Sequence, residues 1–217
     1  PCEIDTVHDS GLLLDAEGLQ CLRHDEALFA PVAIRLGAGD LLVVEGRNGA
    51  GKTTLLRALL GLGRLQADRL CHRGRDVLEQ REVLRAACNW LGHLLALKGE
   101  LSVLENLRLA LALADEDLHG DPEALLERVG LAGYEDTPAR SLSAGQRKRA
   151  ALARLAASRR PLWLLDEPFA NLDRQGMDVV ESILAEHLAR GGAAILTSHG
   201  VLPIRLQARQ LRLEALH

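Results

Sequence analysis

The sequence predicts an α/β fold on a largely parallel sheet, with a smaller helical lobe inserted into it. Three observations predict it. Short apolar runs alternate with helix-period segments, one run passes through a glycine-rich loop into a helix, and the middle of the chain carries helical pattern without strands. Residues 12–22 and 32–36 read as short strands. Residues 40–45 make a stronger case, because Leu41, Leu42, Val43 and Val44 form a continuous apolar run before glycine. A helix is expected over 53–60, stopped near Gly61 and Gly63. Segments 102–115 and 122–129 read as helices, the first opened by Ser102 and Glu105 at capping-box spacing. Gly99, Gly120, Gly130 and Gly133 mark loops around them, so that 93–140 forms the inserted lobe. The strand pattern returns at 162–165, ending at Asp166. Helix 174–190 follows, with Val180, Ile183, Leu184 and Leu188 on one face and Gly191 as its stop. Residues 193–197 form another buried strand, ending at Ser198 and His199.

At 217 residues the chain suits one domain over 1–217, large enough to bury a substantial core. The formal net charge of −4 gives no whole-chain bias towards nucleic acid or anionic lipid. No apolar run approaches the roughly 20 residues of a membrane-spanning helix, and the polar start 1–10 is unlike a signal peptide. A soluble chain is expected, reaching any membrane through a partner. It begins on Pro1, so an initiator residue is expected to be missing. Cys2, Cys21, Cys71 and Cys88 show neither C-x-x-C nor metal-ligand spacing and read as reduced packing thiols. Arginine far outnumbers lysine. Only Lys52, Lys98 and Lys148 occur, so a lysine inside a motif carries weight.

Gly46-Arg47-Asn48-Gly49-Ala50-Gly51-Lys52-Thr53 fits G-x-x-x-x-G-K-[ST] at every fixed position. Glycines let backbone N–H groups wrap phosphate oxygens, and the helix that follows directs its positive end at the same anion. Lys52 is expected to reach the β- and γ-phosphates, Thr53 to hold Mg²⁺, and Thr54 to contact the α-phosphate. Leu162-Trp163-Leu164-Leu165-Asp166-Glu167 delivers two carboxylates to one strand end. Asp166 is expected at the metal and Glu167 beside the attacking water as general base. Taken alone, an acidic strand end is a solvated terminus; after a phosphate loop it is the second half of a site.

Leu142-Ser143-Ala144-Gly145-Gln146 resembles the LSGGQ signature of the ABC (ATP-binding cassette) ATPases, with Ala144 in place of the first glycine. Physically it is a serine and a glycine at a helix start, a second anion-binding device. Its place between the phosphate loop and Asp166 is one that kinases and GTPases do not share. Ala170-Asn171-Leu172-Asp173 resembles the D-loop of that family, and His199 its switch histidine, which contacts the γ-phosphate. The resemblance spans about 12–205. It implies a P-loop NTPase core of the ABC type at about 12–92 and 141–213, an N-terminal antiparallel β layer and the helical lobe at about 93–140. It also implies ATP and Mg²⁺ as ligands and a homodimer enclosing two ATP molecules head to tail.

Two positions depart from the family pattern. His93 stands where most relatives place a glutamine at the junction of core and lobe. Near the N-terminus the usual adenine-stacking aromatic is missing, leaving Arg23 or His24 to stack, since a guanidinium lies flat on a π-face. Leu91-Gly92-His93, Lys98-Gly99-Glu100-Leu101-Ser102, Leu104-Glu105-Asn106-Leu107 and Pro161 to Phe169 resemble the CcmA subfamily, the ATP-binding subunits of the cytochrome c maturation transporter. That resemblance implies a CcmB-like integral-membrane permease, with CcmC and CcmD nearby, at the cytoplasmic face of a bacterial inner membrane. The task implied is a haem-handling or export step; an exporter of another cargo, lipid or drug, and a soluble ABC ATPase outside transport are the alternatives. Cys71-His72 lacks the C-x-x-C-H spacing of haem attachment and reads as a chance pair.

Overall fold

The computed structural model describes residues 11–114, 116, 121–199 and 205–216. Cys2, Gly120 and the helix end expected at Asp115 lie outside the described residues. Strands β1 (Leu12–Arg23), β2 (Glu26–Ala27) and β3 (Val32–Gly37) open the chain, and β4 (Leu41–Glu45) leads through the glycine loop into α1 (Lys52–Leu59). Strands β5 (Arg64–Gln66), β6 (Arg69–His72) and β7 (Arg75–Asp76) precede α2 (Arg81–Ala87) and β8 (Cys88–Leu91). Helices α3 (Val103–Leu113) and α4 (Pro122–Arg128) follow, in the stretch expected to form the lobe, and α5 (Ala144–Ala157) comes next. Strand β9 (Leu162–Leu165), α6 (Arg174–Ala189), β10 (Ala193–Thr197) and β11 (Arg209–Arg212) complete the order.

Two sheets result. The first is antiparallel around β1, which pairs with β2, β3, β5 and β6. So long a strand needs relief from its own twist, and the register shifts between Ala16 and Leu19, at Gly18. Gly18 has φ +62°, and a Cβ there would collide with the Asp68 carboxylate. The second sheet is wholly parallel, in the order β11-β4-β10-β9-β8. Its strands are buried on both faces, which is why they read as unbroken apolar runs. Side chains alternate between two cores. Leu42, Val44, Leu162, Leu164 and Ile195 face α1 and the antiparallel layer, whereas Leu41, Val43, Trp163, Leu165 and Leu196 face α3, α4, α5 and α6.

Helix α3 has the expected cap: Ser102 Oγ accepts from Glu105 N at 3.2 Å and Glu105 Oε2 accepts from Ser102 N at 2.8 Å. On α6 the buried face is Val180, Ile183, Leu184 and His187, with Leu188 only half-buried at its rim. His187 takes the central place because its ring stacks on Trp163, centroids 3.9 Å apart, and its Nε2 reaches the Ala193 carbonyl at 3.2 Å. Burial pushes its pKa down to about 4 and keeps it neutral. Cys21, Cys71 and Cys88 are free and buried, and burial pushes the Cys21 and Cys88 thiols up to about 12. They pack as thiols and are not nucleophiles. The His72 ring reaches the Leu13 carbonyl at 2.6 Å, a hydrogen bond within the antiparallel layer.

A nucleotide site at the carboxyl edge of the parallel sheet

Strand β4 ends at Glu45 and the chain wraps into the loop 46–51. Gly51 caps α1 in a left-handed conformation (φ +95°), and no side chain caps that helix, so its first N–H groups point into the loop. A Cβ on Gly51 would press to 2.9 Å from the buried ring of Phe29, so packing as well as dihedral requires glycine. Ala50 is buried beneath the loop. Lys52 Nζ donates to the carbonyls of Gly46 at 2.7 Å and Arg47 at 3.2 Å and lies 3.3 Å from His199 Nδ1. Burial lowers the Lys52 pKa, while the Glu167 and Asp166 carboxylates oppose that shift. The ammonium is a charge held ready behind the loop.

Opposite it stand the carboxylates from β9. Thr53 Oγ1 donates to Asp166, 3.0 Å from each carboxylate oxygen. Thr197, at the end of β10, donates from Oγ1 to Asp166 Oδ1 at 2.8 Å and accepts from Glu167 N at 2.9 Å. Glu167 adopts φ +49°, which turns its side chain off the strand line, and its Oε1 pairs with His199 Nε2. Thr53 and Asp166 offer hard oxygens side by side. Among the described residues no group of three or more His, Cys, Asp or Glu could hold a metal by itself. That donor set fits Mg²⁺, which keeps water and phosphate oxygens and takes few protein ligands.

A cavity of about 450 Å³ lies against the loop, lined by Asn48, Gly49, Lys52, Thr53 and Thr54, with Glu167 and His199 on one wall. Arg23 lines its far end with Leu22 and Leu28. His24 does not, because His24 and Asp25 both have positive φ and form the two-residue turn of the β1–β2 hairpin. A second cavity, about 610 Å³, has His93, Ala144, Lys148, Asp166 and Glu167 on its walls, so Glu167 faces both. Ser143 and Gln146 form a capping box at the start of α5: Ser143 Oγ accepts from Gln146 N at 3.2 Å and Gln146 Oε1 accepts from Ser143 N at 2.9 Å. Ser143 and Ala144 are exposed, and nothing lies within 4 Å of a Cβ placed on Gly145. None of 143–146 lines the cavity at the phosphate loop. Asp173 caps α6, accepting from Gly176 N at 2.8 Å, and pairs with Arg149.

Two residues of this site have no place in the motif reading. Thr197 sits in an apolar strand two residues before His199 and belongs to none of the motifs. Lys148 stands two residues after the signature, and its rarity in an arginine-rich chain was the available signal.

Comparisons with known proteins agree with this geometry. Residues 29–170 match the ABC transporter family. A cytochrome c biogenesis ATP-binding export protein CcmA from Methylococcus capsulatus is 49% identical, the match covering 92% of this chain and 97% of that one. The protein of the same name from Dechloromonas aromatica is 47% identical over 93% of this chain and 100% of its own length. Among solved structures, a putative ABC transporter ATP-binding protein from Pyrococcus furiosus superposes with a TM-score of 0.79 at 20% identity, covering 92% of this chain and 96% of that one, and shares the fold. The chain is therefore an ATP-hydrolysing member of the ABC transporter family and, within it, belongs to the CcmA proteins.

Proposed function

We propose that this chain is the ATPase subunit that energises a haem-handling or export step of c-type cytochrome biogenesis, working as a homodimer on a CcmB-like permease, with CcmC and CcmD nearby. The observation that carries the dimer is the separation of the two anion-binding devices. The phosphate loop has its own cavity, and the signature at Ser143–Gln146 lies open outside it. A second copy arranged head to tail brings its Ser143 hydroxyl and Gly145 N–H onto the γ-phosphate held by the first copy's loop. Lys52 leaves the Gly46 and Arg47 carbonyls for the β- and γ-phosphates. Arg23 lies flat on the base. Glu167 takes the proton from the attacking water, and His199 keeps its carboxylate aimed there. Thr53 and Asp166 hold Mg²⁺, which offsets charge on the phosphate oxygens when bound.

A peripheral seat at the cytoplasmic face of the inner membrane accords with two observations. No helix among the described residues is long and apolar enough to cross a membrane. Leu62, Leu94 and Leu113 stand exposed around a groove of about 400 Å³ between core and lobe, next to His93, a surface suited to an apolar segment of the permease. His93 holds the position from which γ-phosphate is sensed and the lobe is moved. The test is haem staining of c-type cytochromes, beside a b-type control, in cells lacking the native subunit and complemented with wild type or Glu167→Gln. Loss of c-type cytochromes alone in the variant supports the reading. Normal c-type cytochromes would leave the ATPase and refute the haem step.

A further inference from the structure

Lys148 is one of three lysines and stands on the first turns of α5, two residues after the signature. Its Nζ donates to the backbone carbonyls of Glu167 at 2.7 Å and Ala170 at 2.8 Å. These carbonyls bracket a tight turn, closed by the Ala170 N–H on the Glu167 carbonyl at 3.1 Å. The turn starts at a glutamate held in left-handed backbone, a conformation that side chains other than glycine and asparagine rarely keep without outside support. Thr197 holds the Glu167 N–H from one side, and Lys148 holds its carbonyl from the other. Six residues along α5, Arg154 donates to the Trp90 carbonyl at 2.7 Å, just ahead of Gly92 and His93. Helix α5 is thus tied to the ends of both β9 and β8.

The geometry points to Lys148 as a positioning residue for hydrolysis: it fixes the turn that aims the Glu167 carboxylate and so makes the base's placement depend on where the signature helix stands. Burial pushes the Lys148 ammonium down to about 8, against the pull of Glu167 and Asp166, so the charge is kept in a costly place. Ala150, Ala151 and Leu152 fill the core beside it, so the packing next to Lys148 on α5 is apolar. An ammonium brings three donors and a full charge to the two carbonyls; methionine brings none, and a glutamine amide brings two uncharged N–H donors on a shorter stem.

This inference rests on ATP hydrolysis with Glu167 as base. Purified Lys148→Met, Lys148→Gln and Lys148→Arg are compared with wild type for fluorescent ATP-analogue affinity, melting temperature and kcat. In Lys148→Met kcat should fall about 10- to 100-fold, the cost of misplacing a reacting group by roughly 1 Å, with affinity within about two-fold. Lys148→Gln should be intermediate, and Lys148→Arg should recover most of the rate. Should the methionine variant fail to fold, the glutamine and arginine pair carries the comparison. In the Glu167→Gln background Lys148→Met should cost nothing further, because both act through one carboxylate. A folded Lys148→Met with kcat within two-fold overturns the inference. So does a rate that falls only in step with affinity and folded fraction, or a full additional loss in the double variant. Absence of turnover in wild type would instead strike the ATPase reading itself.

Discussion

Thr197→Val is the substitution that separates the site's architecture from its charges. Threonine and valine have nearly the same shape, so the packing of β10 is kept while one hydroxyl is removed. Thr197 is 1% exposed, and its Oγ1 holds Asp166 Oδ1 at 2.8 Å and the Glu167 N–H at 2.9 Å. Asp166 is 6% exposed and keeps only the Thr53 hydroxyl among the side-chain donors described above. Losing a hydrogen bond to a buried carboxylate costs about 2 kcal/mol, and stranding a buried N–H about 1 kcal/mol more. For a domain of this size, about 3 kcal/mol is a fall of roughly 6–12 °C in melting temperature. Because the same hydroxyl holds the Asp166 carboxylate and the backbone of Glu167, kcat should drop about ten-fold or more. Thr197→Ser keeps the hydroxyl and should restore most of both. Melting curves and phosphate release on the three proteins decide it. A valine variant that melts within 2 °C of wild type and turns over within two-fold would refute the assignment of Thr197 as the link between Asp166 and Glu167.

Mixing Ser143→Arg with Lys52→Ala subunits, each inactive alone, should restore one intact composite site per heterodimer. A wild-type rate strictly proportional to protein concentration, even at high dilution, would count against a transient dimer. His93→Gln should retain permease-stimulated hydrolysis and His93→Ala lose it, with ATP affinity unchanged in both; equal stimulation of wild type and alanine variant would end that role. Acid should weaken the fold through His187. Its folded pKa of about 4 lies below the unfolded value near 6.5, so the unfolded chain binds more protons between them, and stability falls as pH drops through that window. Linkage gives about 2 kcal/mol lost at pH 5 relative to pH 7, a loss that His187→Gln should lack in paired melting curves.

Much of this site was legible because its parts are local. The phosphate loop, the acidic strand end and the signature are each short runs whose chemistry follows from residue type and order. Strands β4, β9 and β10 were legible because burial on both faces makes them apolar throughout, and α3 and α6 because caps and helix period agree. The short strands β5 to β7 were not, since two to four residues carry no period; β5 and β6 take their conformation from pairing with β1, and β7 from pairing with β6. Strand β8 escaped for another reason. Its Cys88-Asn89-Trp90-Leu91 run is broken by a polar residue and makes sense only beside β9. Thr197 and Lys148 were invisible as partners because their contacts span 30 and 19 residues, a separation that only the folded sheet closes. Of the two stacking candidates at the N-terminus, only the hairpin turn separates Arg23 from His24.

Strand order explains why these residues meet. In a parallel sheet all carboxyl ends lie along one edge, so the order β4, β10, β9, β8 becomes the order of chemical roles. The phosphate loop leaves β4, Thr197 and His199 end β10, Asp166 and Glu167 end β9, and Gly92 and His93 follow β8. Neighbouring strands sit about 4.8 Å apart, so the edge from loop to His93 spans about 14 Å. A triphosphate with its metal and an attacking water fits along such a length. His93 stands farthest from the loop, beyond Glu167. In the proposed roles, a change at the γ-phosphate therefore meets Glu167 before His93. Helix α5 grips both strand ends, through Lys148 at β9 and Arg154 at β8. On the inference above, a shift of the Glu167 turn is coupled to the signature helix through these hydrogen bonds.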